Sequence, residues 1–209
     1  VNYSVSKILS KHEVNADILD SPGIISLVPT SPDEKVSVDT LYEHPKYGNP
    51  DIVIVTVDAS QLSRHLYLVK QLIDSNFNLI VVVTMIDILK RNNKDIDIIK
   101  LSSVLGCCVV KFDGRNGDGI KELLEKTRDK IMGLAKEEKI SPIAKFKIDK
   151  DKLLLSYKHI EEIENDVIID KVLGKNGRID IASLNENLVV LNNRRPFVKP
   201  DEKTLKLDK

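Results

Sequence analysis

Three short runs of apolar residues punctuate the chain: "DIVIVTVD" at 51–58, "LIVVVTMID" at 79–87 and "CCVVKFD" at 107–113. Unbroken runs of this length predict strands covered on both faces. Between them the apolar spacing changes from continuous to helical. Leu62, Leu66, Val69 and Ile73 recur along 60–75, at the interval that lines up one face of a helix. A second helix is predicted over Ile96–Leu105, with a shorter helical piece able to precede it, and a third from Ile120 to about Glu138. Strand and helix in alternation predict right-handed crossovers, hence a mainly parallel sheet with helices on both faces.

The flanking segments read differently. Val1 to Leu19 alternates loosely and predicts two strands that turn near Lys11–Glu13. Ser21 to Gly48 is a loop with one helix in it. That helix should start at Ser31-Pro32-Asp33-Glu34, with Ser as N-cap, Pro at the first position and Glu at the third. Beyond Lys139, "ISPIAKFKIDKDK" has linker texture. Leu153 to Leu173 predicts a helix with Ile160, Ile163, Val167 and Ile168 on one face, ended by Gly174 and Gly177. Leu184 to Leu191 fits a further strand or short helix, and a charged, proline-punctuated tail follows. The expected organisation is an α/β domain over 1–139, then a smaller helical or irregular part over 140–209.

Composition narrows the function classes. Lys+Arg and Asp+Glu balance at 32 each, so net charge argues for neither nucleic acid nor an anionic membrane. The basic clusters Lys90-Arg91, Lys145–Lys152 and Arg194-Arg195 lack interleaved aromatics and read as solvated faces. The longest apolar runs fall well short of the roughly 20 residues that a membrane helix needs. The two cysteines, Cys107 and Cys108, are adjacent. That spacing suits reduced thiols buried in a strand rather than a disulfide or a metal set. The four histidines are scattered and match neither a metal site nor a nucleophile triad.

Ligands of doubly wound sheets sit outside the carboxyl ends of the strands. Four segments follow strands: Asp20–Gly23, Asp58–Ser60, Thr84–Asp87 and Asp113–Gly117. In "DSPG", Asp20 can reach a magnesium ion through water and Gly23 can bring its amide to a terminal phosphate; the same four residues also suit a β-turn. In "TMID", Asp87 can accept from the N1–H and the exocyclic amine of guanine, or can cap a helix. Thr84 stands where an amide would otherwise assist. Asp113, Gly114 and Arg115 form a loop at the third strand end that can border a base, or simply close an α/β unit. None of the nine glycines lies in a Gly-x-x-x-x-Gly-Lys-Ser/Thr phosphate loop. Without that cradle, nucleotide hydrolysis by this chain alone is not expected.

Taken in order and spacing, "DSPGIISLVPTSPDEKVSVDTL", "PDIVIVTVDASQLSRHLYLVKQLID", "LIVVVTMID", "IDIIKLSSVLGCCVV" and "GRNGDGIKEL" resemble the cytoplasmic G domains of the FeoB ferrous-iron transport family. The most specific portion is Val57-Asp58-Ala59-Ser60 followed by Leu62, Arg64, Leu66-Tyr67-Leu68 and Gln71-Leu72. The resemblance spans about Val1 to Lys139. It implies a P-loop GTPase-like three-layer fold, GTP or GDP with Mg²⁺ as ligands, and a membrane-embedded transporter domain, in the same or a partner chain, as partner. It implies a place at the cytoplasmic side of the bacterial inner membrane. By position, Asp20 would face Mg²⁺ and Gly23 the γ-phosphate, while Thr84, Asp87, Asp113, Gly114 and Arg115 would surround the base.

Three positions depart from the family pattern. The phosphate loop and first switch threonine are not in this chain, Thr84 replaces Asn, and Asp113-Gly114 replaces Ser-Ala. Two readings therefore stand. One is a GTP-dependent switch for Fe(II) uptake, whose phosphate loop is expected upstream of Val1. The other is a degenerate G domain that works as a regulatory or protein-binding module.

Overall fold

The computed structural model describes residues 4–7, 16–134, 142, 146 and 150–170. Strands β3 (Val53–Asp58), β4 (Leu79–Thr84) and β6 (Cys108–Lys111) form a parallel sheet in the order β3-β4-β6. Asp58 lies opposite Thr84, and Val83 opposite Lys111, so all three carboxyl ends share one edge. Phe112 N–H donates to the Val83 carbonyl at 2.9 Å and carries the ladder one residue further.

Alternation along the strands sorts side chains between two faces. Val55, Val57, Leu79, Val81, Val83 and Val109 join the main core, with Leu62, Leu66, Val69 and Leu72 of α2 (Leu62–Asp74) and Leu101 and Leu105 of α4 (Ile98–Leu105). Ile80, Val82 and Val110 point the other way, where Leu123 of α5 (Ile120–Leu134) packs against them. β4 is central and buried along five of its six residues. β3 departs from the expected double cover. It is an edge strand among the described residues, and Ile54 and Thr56 on its second face are exposed. The reason is positional, because α5 packs mainly against β4 and β6.

The loosely alternating N-terminal segment forms the expected hairpin, β1 (Ser4–Lys7) antiparallel to β2 (Asp17–Asp20). The turn itself lies outside the described residues. α1 (Pro32–Tyr42) starts as anticipated: Ser31 Oγ accepts from Glu34 N–H at 3.2 Å and Pro32 opens the first turn. The Glu34 carboxylate reaches back one residue beyond the cap, to Thr30 N–H at 2.7 Å and the Thr30 hydroxyl at 2.6 Å.

Two short strands escaped the periodic pattern. β5 (Lys94–Ile96) pairs antiparallel with β7 (Ile168–Asp170). Ile96 therefore belongs to a strand, and α4 begins after Asp97, whose carboxylate caps Lys100 N–H at 2.9 Å. Ile168 likewise leaves helix α6 (Lys150–Val167), which ends one residue earlier. The short helical piece before Ile96 is α3 (Ile86–Arg91). Ile160, Ile163 and Val167 of α6 are buried in the main core, against α2 and α4. Cys108 lies in β6 and Cys107 just before it, and both thiols are free and half-buried rather than fully buried. The end of the 120–138 helix, most of the linker and everything after Asp170 lie outside the described residues.

Candidate functional site

The carboxyl edge of the parallel sheet collects three of the four strand-end segments. At the end of β3, Asp58 Oδ1 accepts from both Ser60 N–H and the Ser60 hydroxyl at 2.7 Å, closing a single 3-10 turn over Ala59–Gln61. α3 packs against that turn. The fourth segment, Asp20–Gly23, leaves β2, which belongs to a separate two-stranded sheet. Strand pairing alone thus does not bring all four to one edge, because β2 bonds β1 and not the β3 ladder among the described residues.

Thr84 ends β4 with its hydroxyl turned into the sheet, donating to the Val57 carbonyl at 3.2 Å. Met85 follows in the left-handed region, φ 57° and ψ 26°. A side chain there costs about 1–2 kcal/mol, and such strain concentrates at functional sites. Met85 is also 45% exposed, an apolar side chain held at the mouth of the edge. The residue pattern gave no sign of it, since positive φ outside glycine leaves no mark in sequence spacing. Asp87 then lies in the first turn of α3, where the helix N-terminus favours a carboxylate.

The β6–α5 loop closes tightly on itself. Asp113 N–H donates to the Asp118 carbonyl and Gly117 N–H to the Asp113 carbonyl, each at 2.9 Å. The Asp113 carboxylate accepts from Arg115 N–H at 3.0 Å. Arg115 then reaches across to Asp87, Nη2 to Oδ2 at 2.9 Å. Arg91, four residues along α3, meets the same Oδ2 at 3.1 Å. Thr84–Asp87 and Asp113–Arg115 are thereby joined into one constellation. It offers an acceptor carboxylate and guanidinium donors side by side.

Asp20 is exposed at the end of β2. No group of three or more His, Cys, Asp or Glu side chains among the described residues could hold a metal ion. The donor set around Asp20 therefore does not make a protein-built Mg²⁺ centre. Gly23 is exposed, a Cβ added there would meet open space, and its φ is not left-handed. Nothing in this conformation requires glycine at 23. The chain around it is pinned: Ser37 Oγ donates to the Pro22 carbonyl at 2.8 Å. Leu27 N–H donates to Gln71 Oε1 at 2.7 Å, and Gln71 Nε2 donates to Ser26 Oγ at 3.2 Å. Gln71 is itself buried. Sequence reasoning had Gln71 only as a motif letter, and its role needed the contact with Leu27, 44 residues away.

The family model described as ferrous iron transport protein B matches residues 1–127. The curated Fe(2+) transporter FeoB of Escherichia coli K12 is 36% identical over 112 residues, which take in 54% of this chain and 14% of that protein. This chain thus corresponds to a small part of the curated relatives that it matches. The solved FeoB G domain of Methanococcus jannaschii is 32% identical, with a TM-score of 0.52 over 56% of this chain and 73% of that one. An NFeoB mutant from S. thermophilus bound to GDP is also 32% identical, with a TM-score of 0.51 over 72% of this chain and 54% of that one. The fold is that of a P-loop GTPase G domain.

Proposed function

This chain belongs to the ferrous iron transport protein B family, and from that premise we propose that it carries the base-reading and switch portions of a guanine-nucleotide site serving Fe(II) uptake. The observation that supports this most is the joining of Thr84–Asp87 to Asp113–Arg115 through the Asp87–Arg115 contact, at the carboxyl edge of the parallel sheet. That is where doubly wound folds hold their ligands. Asp87 would accept from the guanine N1–H and exocyclic amine, with the Asp113–Arg115 loop beside the base.

The switch portion is Asp20–Gly23 with the segment that follows. A γ-phosphate would take a hydrogen bond from Gly23 N–H, with Asp20 oriented towards Mg²⁺ through water. The segment's resting position depends on Ser37 and Gln71. A γ-phosphate contact would bias it towards a second arrangement, and loss of the phosphate would release it. The partner of the switch would be a membrane-embedded transporter domain at the cytoplasmic side of the inner membrane. Among the described residues no helix is long and apolar enough to cross a membrane.

A second reading, a degenerate G domain acting as a regulatory or protein-binding module, draws on the Thr84 hydroxyl. It is committed to the Val57 carbonyl and supplies no amide. Calorimetric titration with GDP and ADP separates the two. Guanine recognition predicts that GDP binds more tightly than ADP and that Asp87→Ala abolishes the difference. Absence of any guanine preference favours the regulatory module.

A further inference from the structure

The reading of Asp87 leaves one question open, namely what takes the acceptor edge of the base. Guanine places O6 and N7 beside its N1–H, and both need donors. Thr84 cannot serve, because its hydroxyl faces the Val57 carbonyl and it has no amide. Gly114 can offer only its backbone N–H, a single donor for two acceptors. Arg115 is the donor that the fold brings to this place. Its backbone is fixed by Asp113, its Nη2 is 2.9 Å from Asp87 Oδ2, and its side chain is 65% exposed. A guanidinium has five N–H donors in a planar fork, and the contact with Asp87 engages one of them.

We propose that Arg115 is a base-selecting residue, its guanidinium reading guanine O6 and N7 while Asp87 reads N1–H and the exocyclic amine. This deepens the function proposed above and rests on it. The Asp87–Arg115 pair sets an acceptor beside a donor, which is the complement of the N1–H beside O6 of guanine. Adenine presents an amine where guanine has O6, so it sets donor against donor at Arg115 and finds no N1–H for Asp87. Purine selection thus comes from the pair, which stands in for the side-chain amide missing at 84. Arg91 also meets Asp87, yet it is the i+4 neighbour on α3 and supports the carboxylate from the helix side.

The test is the ratio of ADP to GDP dissociation constants for the 209-residue protein, measured with nucleotide up to millimolar concentration. The ratio cancels the phosphate contacts that the two ligands share. Arg115→Ala should lower it about ten-fold, the scale of a bidentate base contact, and Arg115→Lys should restore it only in part, because a lysine lacks the fork. An unchanged ratio in Arg115→Ala overturns the proposal while leaving guanine recognition by Asp87 standing. Tighter GDP binding by that variant also overturns it, since Arg115 would then be competing for Asp87. A wild-type protein that does not distinguish GDP from ADP removes the underlying reading of Asp87 as well.

Discussion

Gly119 sets the geometry of the loop that carries Arg115. Its φ is +90°, and a Cβ there would overlap the Lys111 carbonyl oxygen at the end of β6. The loop can close only because that position has no side chain. Gly119→Ala should therefore cost more than about 2 kcal/mol, from left-handed strain and overlap together. Urea denaturation measures this, and a variant as stable as wild type would contradict it. Such details are faint in the sequence. The glycines at 114, 117 and 119 mark a loop, but not which of them is indispensable. The Asp87–Arg115 contact joins residues 28 apart, and no spacing rule points to it. The place of Asp87 near the carboxyl edge, three residues past the end of β4, follows from the order of strand and helix alone.

At the scale of elements, α2 shows how one helix organises the site. Its buried face seats the sheet through Leu62, Leu66, Val69 and Leu72. Two of its signature residues, Tyr67 and Gln71, face other elements. Tyr67 stacks on Tyr157 of α6, with ring centroids 4.8 Å apart and an interplanar angle of 11°. Gln71 holds Leu27 and Ser26 of the segment that follows Asp20–Gly23. Through Tyr67 and Gln71 the motif ties both α6 and the 26–27 segment to the helix that seats the sheet. Gln71→Leu should leave the buried Leu27 N–H without its partner, at a cost of about 1–3 kcal/mol. Amide hydrogen exchange at Leu27 should accelerate accordingly, and unchanged protection would contradict the assignment. β4, β6 and α2 were legible because their apolar positions keep one period over six or more residues or form unbroken runs. β5 and β7 were not, because three-residue strands have too few positions to establish a period. Each also abuts a helix whose apolar pattern absorbs its last or first isoleucine, Ile96 or Ile168.

Across the described residues, the parallel sheet and α6 both pack on α2 and α4. The parallel sheet presents the carboxyl edge that carries Thr84–Asp87 and Asp113–Arg115, β2 leads into Asp20–Gly23, and α6 runs on into β7, which pairs with β5. The apolar run in β3 suggested a strand covered twice, yet Ile54 is 40% exposed. Composition records what a strand is suited to meet, and the structure shows which of its faces is met within these residues. The central claim is that the carboxyl edge of this sheet reads guanine. The most direct measurement is amide chemical-shift mapping of the ¹⁵N-labelled protein titrated with GDP and, in parallel, ADP. The account predicts GDP-specific shifts concentrated at Thr84–Arg91 and Asp113–Gly117. Shifts elsewhere, or the same shifts with ADP, would contradict it.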